Sequence, residues 1–152
     1  LDAEILRLAS SDAPSAKRAL ACIKPAGERA RRVTVAACRS FLRDERNVFL
    51  GAFANGEPVG YAIAYLLERP DREAPMVLFY EVEVLAGWRR QGIGRAMVDR
   101  LAQFAKERGA CKMWVLTEEA NAAAQALYTA AEAHGTGPHR LFTWHAEDGT
   151  LR

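Results

Sequence analysis

Cysteine is scarce in this chain, long apolar runs are missing, and net charge is almost nil. The 152 residues include only Cys22, Cys38 and Cys111. An odd number, widely separated and without the paired spacing of a zinc site, excludes a disulfide framework and a cysteine-based metal centre. Free thiols fit a reducing compartment, and small buried hydrophobes are the plain expectation for all three. No apolar run nears the ~20 residues that span a bilayer. No leader pattern opens the chain. The expectation is a cytoplasmic protein with no membrane partner. The 21 Lys and Arg nearly balance 19 Asp and Glu, for a net charge of +2. They are scattered rather than striped, so nothing points to nucleic acid as a partner. Repeats and low-complexity tracts are also absent.

What is present is a change of hydrophobic period along the chain. Glu4 to Leu8 alternates as a short strand, and Ser10, Ser11 and Asp12 offer N-caps for a helix ending before Pro25. A second helix is expected over Val33 to Arg43. Asn47 to Ala54 and Glu57 to Leu67 read as strands around Asn55-Gly56, a strong hairpin signal. Arg69-Pro70-Asp71 breaks the second. Met76 to Leu85, MVLFYEVEVL, is the next strand. Strict alternation puts Val77, Phe79, Glu81 and Glu83 on one face and Leu78, Tyr80, Val82 and Val84 on the other. From Ile93 a helical stripe follows through Met97, Leu101, Phe104 and Ala105, stopped by Gly109. Cys111 to Leu116 is a strand, Asn121 to Ala131 an alanine-rich helix, and His139 to His145 a final strand. This order predicts one α/β (α+β) domain over residues 1–152, with a mixed sheet.

Between strand and helix stands WRRQGIGRAM, residues 88 to 97. The first N–H groups of a helix lack partners and, with the helix dipole, attract anions. Gly92 and Gly94 lack a Cβ, so a phosphate can approach the backbone. Arg89, Arg90 and Arg95 bring positive charge, and Gln91 a further donor. The physical reading is a pyrophosphate cradle, against the plain alternative of a structural turn. It is neither a Walker loop nor a dinucleotide fingerprint, since no Gly-Lys-Ser/Thr follows and Met97 stands where a third glycine belongs.

The arrangement of strand, Arg89-x-x-Gly92-x-Gly94, helix, strand and Asn121-x-x-Ala124-x-x-Leu127-Tyr128 resembles the GNAT superfamily of N-acetyltransferases. The resemblance covers about Asn47 to Trp144. It implies a central sheet of six to seven strands with about four helices, parted at its centre to admit acetyl-CoA. Arg89, Arg90, Gln91, Gly92, Ile93, Gly94 and Arg95 would then hold the pyrophosphate. The backbone of Val82 to Val84 would hold the pantetheine arm as an added strand does, with Thr117, Asn121 and Ala124 beside it and Tyr128 near the sulfur. One departure is visible. The family often continues Leu-Tyr-x-x-x-Gly-Phe, whereas Tyr128 is followed here by Thr-Ala-Ala-Glu132-Ala133. The glycine turn is expected later, at Gly135 and Gly137.

Acetyl transfer to an amine needs a base, because a protonated amine cannot attack, and an acid for the departing thiolate. Glu81 and Glu83 lead into the cradle. A partly buried carboxylate there would have a raised pKa and serve as base; the plain alternative is a solvated face or arginine pairing. Tyr128 is the candidate acid, its alternative being core packing. His134, His139 and His145 are further candidate bases without triad partners. Trp88, Trp114 and Trp144 read as packing residues.

Within the superfamily, Tyr80-Glu81 followed by Arg89 to Ile93 is most similar to the type I aminoglycoside 3-N-acetyltransferases. That similarity implies a cationic small-molecule amine as substrate and Glu81 as its activator. Glu68, Asp71, Glu73, Glu118 and Glu119 would line an acidic cleft, unless they are plain surface. Another amine (a polyamine, an amino acid or a protein N-terminus) stays open, as does a non-catalytic acyl-CoA sensor. Phe142 and Trp144 on the last strand suggest an edge for a homodimer.

Overall fold

The hairpin at Asn55-Gly56 sets the frame of the sheet. Both turn residues take positive φ, 51° and 78°, the combination that matches the right-handed twist of the flanking strands. The computed structural model describes residues 2–23, 33–137, 140–143, 146–147 and 150–151. The elements are β1 (Glu4–Arg7), a short 3-10 turn (Ser10–Asp12), α1 (Ala13–Ile23), α2 (Val35–Arg43), β2 (Asn47–Ala54), β3 (Glu57–Leu67) and β4 (Met76–Val84). A 3-10 turn (Ala86–Trp88), α3 (Ile93–Glu107), β5 (Lys112–Trp114), α4 (Ala122–Ala130), β6 (Ala146–Glu147) and β7 (Thr150–Leu151) complete the order.

The main sheet runs β1-β2-β3-β4-β5. Its first four strands are antiparallel, and β4 pairs with β5 in parallel, α3 lying between them in sequence. Apolar faces are covered on both sides. On one, Val48, Leu50, Ala62, Val77 and Phe79 pack with Ile93, Met97, Leu101 and Phe104 of α3. On the other, Phe49 and Tyr61 pack with Ala13, Ala16 and Ala19 of α1 and Cys38 and Leu42 of α2. The stripe expected of α3 is buried throughout. Among the described residues no helix is long and apolar enough to cross a membrane.

Four expectations change. First, β4 does not alternate strictly. Ile63 lies opposite Glu81 while the next residue, Ala64, lies opposite Phe79, so Tyr80 is an extra residue in the ladder. This β-bulge reverses the phase of the strand. Val77 and Phe79 are buried, at 0% and 1% exposure, on the α3 side, where Val82 and Val84 also pack. Glu81 and Glu83 sit opposite Ile63 and Tyr61 and therefore share the α1–α2 side with them. Second, the expected final strand is absent where it can be seen. Residues 140–143 are irregular, with Leu141 and Phe142 exposed; His139, Trp144 and His145 lie outside the described residues. β6 and β7 form a separate two-stranded hairpin.

Third, the turn after α4 is not postponed to Gly135. Glu132 takes φ 63°, and the N–H groups of Glu132 and Ala133 donate to the carbonyls of Thr129 and Tyr128. This is a Schellman ending with glutamate in the left-handed position that glycine usually fills. Fourth, only Cys38 is buried; Cys22 and Cys111 are exposed thiols near element ends.

Candidate active site

β4 and β5 share only three paired positions, Met76 to Leu78 with Lys112 to Trp114. Beyond them β4 runs on to Val84 without a described strand on that side. The chain then turns through Ala86–Trp88 into the N-terminus of α3. Gly92 is the N-cap, at φ 84° and ψ −3°, a conformation that costs a side-chain-bearing residue about 1–2 kcal/mol. Arg90 is also left-handed, at φ 63°. The first bond of the helix ladder runs from Ala96 N–H to the Gly92 carbonyl, at 2.9 Å. The amides of Ile93, Gly94 and Arg95 therefore fall outside the ladder, at the positive end of the helix dipole. A Cβ on Gly94 would enter the gap bounded by Leu127, 3.4 Å away, and Val84, 4.0 Å away. Glycine there is not required by φ; it keeps that gap open.

The side chains expected to surround the cradle divide. The Arg89 guanidinium donates to the Val84 carbonyl at 2.9 Å, and Gln91 to the Gly87 carbonyl at 3.1 Å, so both brace the turn. Arg95 pairs with Asp99 at 2.7 Å and also donates to the Ala130 carbonyl, tying α3 to the end of α4. Arg90 is exposed beside them. Asn121 caps α4, its carboxamide oxygen accepting Ala124 N–H at 3.1 Å. Thr117 is exposed after β5, and Ala124 is half-buried. These residues, the open stretch of β4 and the bare amides of α3 fit a pyrophosphate with a long extended arm.

On the α1–α2 side, Tyr61 donates its hydroxyl to Glu81 Oε1 at 3.1 Å. Its ring stacks on Phe49 at 5.6 Å. Burial pushes the Tyr61 hydroxyl far above its usual value, and the Glu81 charge, their hydrogen bond and the Glu83 charge add to this. Tyr61 thus stays protonated and holds the Glu81 carboxylate from one side. Sequence reasoning missed it: Tyr61 is one aromatic among many strand residues, and no tight turn fixes the β3–β4 register. Tyr128 meets the Phe79 ring edge-on, centroids 5.6 Å apart and planes at 80°. Burial first, and the Glu83 charge second, raise its hydroxyl pKa, so it keeps a proton to give. Glu83 therefore acts electrostatically on both tyrosines.

The carboxylates expected to line an acidic cleft, Glu68, Asp71, Glu73, Glu118 and Glu119, are all exposed. Arg69 grips Asp71 through two hydrogen bonds of 2.8 and 2.7 Å, holding its carboxyl below the usual range. His134 is exposed as well. Trp88 packs on the α3-side core. A cavity of about 360 Å³ lies between α1, α2 and the sheet, lined by Leu20, Cys38, Phe41, Phe49, Ile63 and Tyr65 among others. A larger open depression of about 810 Å³ follows β1, past Arg7, Asp12 and Gly56. It contains none of the site residues.

Residues 12–132 match the model of the acetyltransferase (GNAT) family. The chain belongs to that family. It is an acetyl-CoA-dependent N-acetyltransferase. A curated relative, an uncharacterized N-acetyltransferase of Mycobacterium bovis, is 30% identical over 110 residues, covering 71% of this chain and 67% of its own. Among solved structures, an aminoglycoside acetyltransferase from an uncultured soil metagenomic sample superposes with a TM-score of 0.83 at 22% identity, covering 95% of this chain and 97% of its own. An aminoglycoside 6′-N-acetyltransferase in complex with CoA superposes with a TM-score of 0.76 at 16% identity, covering 95% of each chain. At those identities the likeness is one of GNAT fold.

Proposed function

We propose that this GNAT enzyme acetylates a primary amine of a small cationic molecule, with Glu81 as base and Tyr128 as acid. The carrying observation is the Tyr61–Glu81 hydrogen bond at 3.1 Å, which fixes a carboxylate on the strand that leads into the donor cradle. Bound acetyl-CoA supplies a thioester: the amine nitrogen forms a C–N bond to the acyl carbon and the C–S bond breaks. Glu81 takes a proton from the ammonium, directly or through a water. Tyr128 gives its proton to the leaving sulfur and recovers one from the nitrogen, which sheds its second proton as the amide forms. Glu83 adds a second negative charge that favours a cationic acceptor.

Aminoglycosides are the first acceptor class. Support comes from Tyr80-Glu81 ahead of Arg89 to Ile93 and from fold neighbours named as aminoglycoside acetyltransferases. Similarity in sequence favours the 3-N position, while two of the neighbouring enzymes are of the 6′ type. The test is thiol release from acetyl-CoA with gentamicin, sisomicin and spermidine, with product regiochemistry by NMR. Turnover with the antibiotics but not spermidine supports the reading. CoA binding without turnover on any amine defeats it in favour of a sensor. A second reading, acetylation of a different amine, is favoured by the apolar cavity on the Glu81 side of the sheet.

A further inference from the structure

The cavity between α1, α2 and the sheet belongs to the face that the β4 bulge gives to Glu81. Ile63, in its wall, lies directly opposite Glu81. Phe49, also in the wall, stacks on the tyrosine that bonds Glu81. Tyr65 meets Phe41 edge-on at 5.8 Å and Tyr80 at 5.7 Å. An aromatic row thus runs from the cavity wall to the residue beside Glu81. Among the described lining residues, the Cys38 thiol and the Tyr65 hydroxyl are the polar groups, and no carboxylate is present. Burial raises both pKa values, so both groups stay neutral at neutral pH. At about 360 Å³ the space has the size of a small ligand pocket. A polycation entering it would lose hydration without meeting a carboxylate among the described lining residues. An apolar group would exchange water for these rings.

We propose that this cavity is the specificity pocket of the acceptor site, and that the acceptor is a primary amine bearing one compact alkyl or aryl substituent, with its ammonium at Glu81. This rests on acetyl transfer at Glu81 but departs from a polycationic acceptor.

The test is a series of n-alkylamines from ethylamine to hexylamine, with 2-phenylethylamine, ethanolamine and spermidine. The kcat/KM is expected to rise about fourfold per methylene until the cavity is filled, with 2-phenylethylamine well ahead of ethanolamine and spermidine. Ala37 lines the cavity from an exposed position on α2, so Ala37→Phe narrows it without entering the core. That variant should move the optimum to shorter amines. It should also weaken 2-phenylethylamine binding, measured by calorimetry without donor, by about tenfold or more. Equal kcat/KM along the series, or spermidine ahead, overturns the proposal while leaving acetyl transfer standing. No thiol release from any amine overturns the transfer reading instead. Calorimetry then decides the pocket: 2-phenylethylamine binding lost in Ala37→Phe supports it, and no binding to the unmodified chain overturns it.

Discussion

Tyr61 hydrogen-bonds Glu81 at 3.1 Å although its directly opposed residue on β4 is Glu83. The bond runs diagonally between two residues on one face, within reach for long side chains. That face exists for Glu81 because of the bulge at Tyr80; without it, Glu81 would follow Phe79 into the core beneath α3. The consequence is a carboxylate fixed by a buried donor and close to the end of β4. Glu81→Gln keeps size and hydrogen-bonding capacity but cannot accept a proton as a base. Its turnover should fall about 100-fold or more, with acetyl-CoA affinity nearly unchanged. Steady-state kinetics and calorimetry on the same preparation check this; unaltered turnover removes Glu81 from the base role.

Tyr128 offers a similar separation of packing from chemistry. Its ring packs on Phe79, and phenylalanine preserves that contact. Tyr128→Phe should therefore fold normally and slow the acyl-transfer step by about tenfold or more. Because burial and Glu83 raise the hydroxyl's pKa, any falling limb due to this residue belongs above tyrosine's usual ~10. The unmodified enzyme should hold its kcat through neutral and mildly alkaline pH. A variant with unchanged single-turnover rate excludes the acid role.

How far the sequence reaches is clearest along β4. The strand, the glycine turn after it and the helix stripe from Ile93 to Ala105 follow from local period and turn chemistry, and each lies where expected. The side on which Glu81 falls does not, because one bulged residue reverses all that follows it. Tyr61 was illegible for a related reason: its role depends on the register between strands joined by an irregular connection. Arg89, Gln91 and Arg95 carry the charge and donors of a phosphate site, yet each also bonds a backbone carbonyl, which no spacing rule reveals. The glutamate at 132 occupies a glycine's place in a helix ending. The family pattern pointed to the later Gly135 and Gly137, but the backbone turned without them.

The two cradle glycines should respond differently to alanine. At Gly92 the cost is conformational: φ of 84° strains any Cβ by about 1–2 kcal/mol. Gly92→Ala should lower the melting temperature by several degrees, about 2–8 °C, and weaken CoA binding as well. At Gly94 the backbone has no such requirement and the nearest atom to a new Cβ is 3.4 Å away. Gly94→Ala should melt like the unmodified chain yet bind CoA more weakly, because the gap toward Val84 and Leu127 is partly filled. Thermal melts paired with calorimetry separate these outcomes. Equal CoA affinity in Gly94→Ala removes that gap from the donor site.

Glu132 predicts the opposite sign. It holds φ 63° at the end of α4 with both Schellman hydrogen bonds in place. Glycine adopts this conformation without a Cβ penalty. Glu132→Gly should raise stability by about 1 kcal/mol, since relief of strain outweighs the greater freedom of glycine in the unfolded chain. Denaturant midpoints at constant slope are the measure, and a lower midpoint refutes the assignment.

The buried Tyr61 and the half-buried Tyr65 and Tyr128 make stability fall in alkali. Burial is the leading cause that raises the hydroxyls of Tyr61, Tyr65 and Tyr128 above the ordinary 10.0. In the unfolded chain all three ionise near 10, whereas in the folded chain they keep their protons. Below that pH both states are protonated and the tyrosines give stability no slope. Above it the folded state binds more protons, so stability drops as pH rises, by up to about 1.4 kcal/mol per pH unit for each tyrosine. Tyr61 is fully buried and should contribute the steepest part. Tyr61→Phe, which retains the stacking on Phe49 but loses the Glu81 bond, should start less stable at neutral pH and lose less on going to alkali. Urea midpoints from about pH 8 to about pH 11 should converge for the two proteins. Parallel curves would show that the Tyr61 hydroxyl does not hold its proton in the fold.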